Sequence, residues 1–307
     1  MILRFNPALT EQEIWANGRE LASVMGRDKD EQGNRVHDWP KHEKVHVATL
    51  KNPVLVTDNY RIGQLESTLR DTVFALFASP VRTTEYDGTS LEFEQKKYVG
   101  VWGPSIDTLL FCRGLRKADL KGVKKALEVG SGSGFISKWL LEHAPDLESM
   151  TLVDFNRYAM ECAADNIRDK RARLHAGDAL EFIEGKKYDL IVCNPPYIPR
   201  PKSIDDNAYE GIGLLRYLIE EGTKQHLTQQ GRLITNISSL CQRLTDGFTK
   251  RAAVDVAQLD QMEVPLKIYN VLNNQEWMSY LLQRGLKKQF KEGYDCWQTI
   301  QIVEMHR

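Results

Sequence analysis

The residues with the clearest chemical potential are Asn194-Pro195-Pro196-Tyr197, which follow the apolar run YDLIVC. Two prolines fix the backbone and remove two amide donors, so the carbonyl oxygens here are left to accept hydrogen bonds. The Asn194 amide adds an oxygen acceptor, and Tyr197 adds an aromatic face. A flat NH₂ group could lie in such a slot with both protons held. We therefore predict that Asn194, Pro195, Pro196 and Tyr197 form the catalytic slot for a planar nitrogen.

A second candidate is the glycine-rich segment EVGSGSG, residues 128–134, which ends one apolar run and leads into an amphipathic stretch. Glycines allow a sharp turn and a close approach of bare backbone to a ligand, and the helix that follows offers free amides. The GxGxxG spacing of a dinucleotide site fails, because Phe135 and Ser137 stand where its third glycine would be. The segment predicts a cofactor loop of another kind, although a purely structural turn stays open.

Two acids follow the next two apolar runs. Asp154 lies about 20 residues beyond the loop, where a carboxylate could accept both hydroxyl protons of a ribose. Asp178 follows Gly177 after the third run, where it could accept from the exocyclic amine of adenine. Each acid alone could equally cap a helix or face solvent. Ligands bind at the carboxyl ends of parallel strands. The glycine loop and the two acids follow three successive predicted strands, which favours one shared nucleoside site.

The elements that must position these residues alternate between strand and helix. Apolar runs predict a parallel α/β sheet covered on both faces, with candidate strands ALEV, TLVD, ARLH, DLIVC and RLITNI and candidate helices starting at Phe135, Arg157, Ala179 and Gly213. Before them, TTEYDGTSLEFE predicts a hairpin that turns at Asp87-Gly88, and a helix should begin near Ser105. Residues 261–284 read as a strand and a helix, either an insertion near the site or ordinary core.

The first 81 residues predict a mainly helical N-terminal region. The capping box of Thr10 and Glu13 indicates a helix to about Met25, and apolar residues at helical spacing indicate another over Arg61–Ala78. Residues 45–56 could be helix or strand. We therefore divide the chain into an N-terminal region, 1–81, which could recognise a substrate, and a hairpin with a catalytic domain, 82–307.

Composition limits the partners. The 307 residues carry 41 basic and 42 acidic side chains, a net charge of −1, which excludes a strongly basic nucleic-acid binder but not a local patch. Such a patch could be formed by Arg168, Lys170, Arg171 and Arg173, with Arg200 and Lys202 beside the candidate slot. No run approaches the roughly 18 apolar residues of a membrane span, and a cytoplasmic location is expected. The five cysteines form no CxxC motif and no cluster typical of a zinc site. We therefore expect no metal, and we expect the cysteines to be buried thiols.

These motifs, in this order, resemble the class I S-adenosylmethionine-dependent methyltransferases that methylate planar nitrogens. The resemblance covers roughly 83–302 and rests on EVGSGSGF, Asp154, Gly177-Asp178 and NPPY. Within that class the chain is similar to the HemK-type glutamine methyltransferases that modify release factors, since VWGPSIDTLLFCRGL resembles the segment before their glycine loop. Ile106 and residues 205–209 depart from that pattern. The resemblance implies a Rossmann-like sheet, mostly parallel, whose last strand is antiparallel.

The resemblance also implies roles for residues. The cofactor S-adenosyl-L-methionine would meet Glu128, Gly130, Ser131, Gly132, Gly134 and Asn194, with Asp154 at the ribose and Asp178 with Ala179 at the adenine. Asp107 and Thr108 would approach its methionine part or merely cap a helix. The substrate implied is a glutamine side-chain amide of a protein such as a release factor. The alternatives are the exocyclic amine of adenine, or of guanine, in RNA or DNA, and a non-catalytic cofactor-binding protein.

Overall fold

The computed structural model describes residues 2–4, 55–56, 81–94, 97–98, 100–202, 211–266, 269–272, 274–291 and 294–307. The helices predicted over 10–25 and 61–78 lie outside these ranges, as do residues 205–209. Within the segment 45–56, which could be helix or strand, Leu55–Val56 is a strand. The division at residue 81 stays a prediction.

A small antiparallel sheet combines two short strands near the start of the chain with the predicted hairpin. Its strands are β1 (Ile2–Arg4), β2 (Leu55–Val56), β3 (Val81–Tyr86) and β4 (Thr89–Glu94), in the order β2-β1-β3-β4. Strands β3 and β4 form the predicted hairpin, and Tyr86 pairs with Thr89. The turn residues Asp87 and Gly88 have φ angles of 55° and 82°, the left-handed conformations that a tight two-residue turn requires. The hairpin prediction is confirmed.

The main sheet carries the candidate site at one edge. Its strands are β5 (Lys125–Val129), β6 (Ser149–Asp154), β7 (Ala172–Ala176), β8 (Tyr188–Cys193), β9 (Leu227–Ser238), β10 (Asp255–Pro265), β11 (Lys287–Lys291) and β12 (Tyr294–His306). The order is β7-β6-β5-β8-β9-β12-β10, and β11 pairs with β12. Strands β5 to β9 are parallel, whereas β12 runs antiparallel to β9. The predicted sheet, mostly parallel with an antiparallel last strand, is confirmed.

Helices cover both faces of this sheet. They are α1 (Ile106–Leu115), α2 (Phe135–His143), α3 (Arg157–Asn166), α4 (Ala179–Ile183), α5 (Gly213–Tyr217), α6 (Gln242–Ala252), α7 (Tyr269–Leu272) and α8 (Gln275–Leu282). Helix α5 continues through a π-helical turn, Leu218–Gly222, into a last α-helical turn, Thr223–Gln225. All four predicted helix starts, and the start near Ser105, are confirmed.

The core divides into the two faces of the sheet. Side chains from α1, α2 and α3 pack with Val192 of β8 and Ile234 of β9, whereas α5 and α6 pack with the alternating residues Ile191 and Leu233. Parallel strands buried on both faces need such near-continuous apolar runs. The carboxyl ends of these strands are thereby held against one another at one edge of the sheet.

Three further properties concern cysteines, metal sites and membrane spans. All five cysteines are buried, and none of them forms a disulfide. In the part of the chain that the structure describes, no group of three His, Cys, Asp or Glu side chains is arranged to hold a metal ion. Over the same residues, the helices are too short or too polar to cross a bilayer.

Candidate active site

The loop between β5 and α2 depends on its glycines. Gly130, Gly132 and Gly134 have φ angles of 66°, 52° and 81°, in the left-handed region that other residues rarely adopt. Gly134 also lies in a tight space, because a Cβ there would be 3.1 Å from Ala163 Cβ. The sequence therefore needs glycine here both for backbone conformation and for the close packing of α2 on α3.

Backbone hydrogen bonds tie three strand ends together at this loop. The amides of Gly130 and Ser131 donate to Val153 O at the end of β6, at 2.8 and 3.3 Å. The Gly132 amide donates to Asp154 Oδ2 at 2.9 Å, and the Gly177 amide donates to Asp154 O at 2.9 Å. Asp154 therefore links the ends of β5, β6 and β7, which places three predicted cofactor segments side by side.

Glu128 compensates for the missing side-chain cap of α2. Helix α2 begins after Gly134, which has no side chain to accept from its first amides. The Glu128 carboxylate, 2 % exposed, accepts from the Ser137 amide at 3.0 Å and from the Ser137 hydroxyl. Burial raises its pKa from 4.5 to about 8, although the Ser137 hydrogen bonds act in the opposite direction. Glu128 is thus a buried acid that holds the helix start against the loop.

Two further polar groups of the loop region face inwards. Asp154 is 8 % exposed, and burial raises the pKa of its carboxyl although the Gly132 and Asn156 amides donate to it. The Ser131 hydroxyl is buried and has no hydrogen-bond partner among the described residues. Buried hydroxyls normally have a partner, so Ser131 retains a capacity to bind a ligand.

The remaining predicted cofactor residues have structural partners. Thr108 Oγ1 accepts from the Ser105 amide at 3.2 Å, so Thr108 completes the capping box of α1. Asp178 caps α4 by accepting from the Leu180 amide at 2.8 Å. It is exposed and lines an open cleft of about 540 Å³ with Phe182, whose ring stacks on His175 at 4.2 Å. Ala179, half-buried, is the first residue of α4. Their roles toward a cofactor stay predictions.

The predicted substrate slot contains an acid that sequence reasoning assigned elsewhere. Asp107 Oδ2 lies 3.4 Å from Asn194 Nδ2 and 3.4 Å from the Tyr197 hydroxyl, both of which can donate to it. The Ser105 hydroxyl donates to the other carboxylate oxygen of Asp107. Asp107 therefore joins the first turn of α1 to the NPPY segment. The spacing gave no sign of this contact, because the residues are 87 and 90 positions apart.

The slot leaves one strong acceptor unused. Asn194 Oδ1 is buried and has no hydrogen-bond partner among the described residues, while its amide nitrogen faces Asp107. Tyr197 is half-buried, and burial together with the Asp107 charge holds the pKa of its phenol well above the usual value. Pro195 is buried and Pro196 is exposed. The geometry is that of a neutral phenol, an anion and an amide oxygen beside a rigid turn.

Residues 261–284, which could have been an insertion or ordinary core, support the far end of this turn. Trp277 Nε1 donates to Pro199 O at 2.8 Å. Ile198 packs with Trp277 and Val271 in a separate apolar cluster. Helices α7 and α8 therefore fix the chain directly after NPPY. A sequence signal for this contact was lacking, since a tryptophan at helical spacing indicates only a buried face.

Part of this chain is similar to known proteins. Residues 106–246 match the family model described as methyltransferase small domain. This segment is similar to methyltransferase domains. It contains α1, the glycine loop, Asp154, Asp178 and NPPY, so every predicted site residue lies within it. The main sheet, mostly parallel with an antiparallel β12, is the Rossmann-like sheet that the resemblance implied.

Relatives with two classes of substrate in their names are similar to part of this chain. A ribosomal protein uL3 glutamine methyltransferase of Bradyrhizobium diazoefficiens is 30% identical over 143 residues, 41% of this chain and 44% of that protein. A release factor glutamine methyltransferase of Aquifex aeolicus is 32% identical over 170 residues, 50% and 59% of the two chains. A tRNA1(Val) (adenine(37)-N6)-methyltransferase of Escherichia coli is 25% identical over 199 residues, 58% and 80%. This chain spans about half the length of the first two.

Proposed function

We propose that this protein is an S-adenosylmethionine-dependent N-methyltransferase whose acceptor is a glutamine side-chain amide of a protein. The observation that carries the proposal is the unpaired, buried Asn194 Oδ1 beside Pro195. An amide NH₂ could donate one proton to this oxygen and another to a carbonyl of the rigid turn. Because the Asp107 carboxylate faces Asn194 Nδ2, the other amide atom, Asn194 Oδ1, points away from Asp107 and toward the slot.

The residues of the glycine loop fit the cofactor. Ser131 Oγ has no partner among the described residues, and the left-handed glycines expose backbone without side chains. Ser131, Gly130 and Gly132 would hold the methionine and ribose end, Asp154 the ribose hydroxyls, and Asp178 with Ala179 the adenine. When bound, S-adenosylmethionine would supply a methyl group on a positively charged sulfur: the nitrogen lone pair bonds to the methyl carbon, the carbon–sulfur bond breaks to leave a neutral thioether, and the nitrogen releases one of its protons to solvent.

The contribution of the chain itself is mainly positioning and the exclusion of water. An amide nitrogen is a poor nucleophile because its lone pair is delocalised. Hydrogen bonds to Asn194 Oδ1 and the Pro195 carbonyl favour a more pyramidal nitrogen, which occurs in the transition state and not in the free amide. Tyr197 presents an aromatic face, and its raised phenol pKa keeps it uncharged at neutral pH. No oxyanion hole is required, because no negative charge develops.

Part of the predicted basic patch lies at the opposite end of the sheet from the slot, which favours a protein substrate over a nucleic acid, although Arg200 and Lys202 follow NPPY closely. Arg168, Lys170 and Arg171 lie in the loop before β7, at the amino edge of the sheet, whereas the slot lies at the carboxyl edge. Arg171 is also bound to Asp169 at 2.6 Å. Phosphate contacts from this loop could not guide a base into the slot directly. The two glutamine methyltransferases are also the more similar relatives in identity.

The alternative substrate is the exocyclic amine of adenine in RNA or DNA. Two large exposed aromatic side chains, Trp102 and Phe155, flank the loop at 66% and 56% exposure and could stack on bases. Trp102 O lies 3.3 Å from the position of a Cβ at Gly132, and Phe155 directly follows Asp154. The tRNA methyltransferase supports this alternative, because the match covers 80% of that protein.

The deciding experiment combines cofactor binding with transfer of a labelled methyl group. Calorimetry with S-adenosylmethionine should show binding to one site. The protein is then incubated with cofactor carrying a labelled methyl group and with purified release factor, ribosomal proteins, total RNA or DNA. Label that resists nuclease, is released by protease and maps to a glutamine supports the proposal. Label in N6-methyladenine would establish the alternative instead.

Two outcomes would contradict the proposal, the first by removing the activity and the second by removing the role of the slot. One is the absence of cofactor binding, which would favour a non-catalytic protein. The other is transfer that the Asn194→Ala variant retains in full, because the slot would then not hold the acceptor. The cytoplasmic location expected from the sequence stays a prediction, and fractionation of the source cells would test it.

A further inference from the structure

A second asparagine lies beside the slot, within the sheet. Asn236 of β9 follows Thr235, which is the register partner of Cys193, and Asn194 follows Cys193. Asn236 has no exposed surface, and neither its Oδ1 nor its Nδ2 has a hydrogen-bond partner among the described residues. The next polar side chain on the strand differs, since the Ser238 hydroxyl donates to Gln298 Oε1 at 2.6 Å.

Asn236 and Asn194 lie on the same face of the sheet. Side chains alternate along a strand, so Asn236 shares the face of Ile234, which packs in the cluster of α1 and Val192. Asn194 reaches that face as well, because its amide meets Asp107 on α1. Neighbouring strands are about 4.8 Å apart, which brings two such side chains within reach of each other.

Helix α1 covers Asn236 and separates it from solvent. The first turn of α1 carries Asp107, which meets Asn194 just after β8. The last turn carries Gly114, which packs closely on β12, since a Cβ at Gly114 would be 2.6 Å from Ile302 Cγ2. Strand β9 lies between β8 and β12, and Ile302 is the register partner of Asn236. Leu110 and Phe111, both without exposed surface, occupy the middle of the helix. A substrate therefore has no surface of Asn236 to contact.

An amide buried without a partner costs free energy, and the cost is removed when a partner becomes available. Asn194 Oδ1 is the unpaired acceptor on the same face, and Asn236 Nδ2 is an unpaired donor. We propose that Asn236 is a positioning residue whose Nδ2 donates to Asn194 Oδ1 in the working enzyme. A carbonyl oxygen has two lone pairs, so the second accepts from the substrate NH₂. The inference rests on the proposed function of Asn194.

The test compares Asn236→Leu with Thr235→Val. Thr235 Oγ1 is also buried and unpaired among the described residues, but Thr235 lies on the opposite face of the same strand. We expect Asn236→Leu to lower kcat about tenfold while cofactor affinity and the unfolding temperature are unchanged or higher, because the variant removes unsatisfied polar atoms. Thr235→Val should keep full turnover and a similar unfolding temperature. Equal turnover in both variants would overturn the proposal.

A measurement without substrate separates this inference from the proposed function. In protein labelled with ¹⁵N-asparagine, the side-chain amide signal of Asn194 is assigned with Asn194→Ala and recorded with and without S-adenosylhomocysteine. Asn236→Leu should shift that signal and Thr235→Val should not; Asn236→Ala serves if the leucine variant does not fold. An unmoved Asn194 signal overturns the inference even if the wild type transfers methyl groups. A shifted signal in a protein that transfers none would leave the contact intact and refute the proposed function alone.

Discussion

The two halves of the cleft differ in how completely their polar groups are paired. On the cofactor side, Glu128 and Asp154 are buried and accept from backbone amides at 2.9 to 3.0 Å. On the substrate side, Asp107 meets Asn194 and Tyr197 at 3.4 Å, and Asn194 Oδ1 has no partner among the described residues. The fold itself therefore satisfies the two buried carboxyl groups of the cofactor side, where the Ser131 hydroxyl is left for a ligand, whereas on the substrate side the amide oxygen of the central Asn194 is left for a ligand.

The strongest test of this contrast is Asn194→Ala. Turnover should fall about a hundredfold or more, because the lost hydrogen bond is made mainly in the transition state. Cofactor affinity should stay nearly unchanged, since the loop that holds the cofactor does not depend on Asn194. Steady-state kinetics and calorimetry check both values. If the variant instead loses cofactor binding in proportion to turnover, the two halves are not separate.

Gly134→Ala tests the preformed side. Its left-handed φ and the 3.1 Å approach to Ala163 Cβ both oppose a side chain. The control is Gly122→Ala, which has a φ of 73° but open space around its Cβ position. We expect Gly122→Ala to cost about 1 kcal/mol in free energy of unfolding from backbone strain alone. Gly134→Ala should cost roughly 1–3 kcal/mol more from overpacking. Denaturant titration measures both, and equal losses would contradict a packing role for Gly134.

Glu128→Gln tests whether the buried acid shapes the pH dependence of stability. The folded state holds the proton of Glu128 up to about pH 8, whereas the unfolded chain releases it near its ordinary pKa of 4.5. Between these values the folded state binds more protons, so its stability falls as the pH rises. The variant should lose this slope, seen as a flatter plot of unfolding temperature against pH from 5 to 8. The exposed Glu148 is the control, since Glu148→Gln should keep the wild-type slope.

The sequence predicted most of the fold and the segments of the site, but not how they meet. Strand and helix positions followed from local periodicity, and the glycine loop, Asp154 and NPPY followed from their place after strands. The contact of Asp107 with Asn194 was not predictable, because the two residues are 87 positions apart and meet only through the way α1 crosses the sheet. The same holds for Trp277 at Pro199 and for Asn236 beside Asn194, which become neighbours only through packing and register.

Asp107 could belong to either half of the cleft, and Asp107→Asn decides between them. The resemblance assigned it to the methionine part of the cofactor, whereas the structure places its carboxylate against Asn194 and Tyr197. We expect turnover to fall about tenfold, or about 1.4 kcal/mol in transition-state stabilisation, because the neutral amide holds Asn194 less firmly. Cofactor affinity should change less than about twofold by calorimetry, an effect under 0.5 kcal/mol.

Thr108→Ala provides the matched comparison for Asp107→Asn. Thr108 is the next residue of the same helical turn, but its hydroxyl accepts from the Ser105 amide and completes the helix cap. Its loss should lower the free energy of unfolding by about 1 kcal/mol and leave turnover nearly intact. Asp107→Asn should show the reverse pattern. A large loss of cofactor affinity in Asp107→Asn would instead return Asp107 to the cofactor side, and Asn194 would then need another group to fix its orientation.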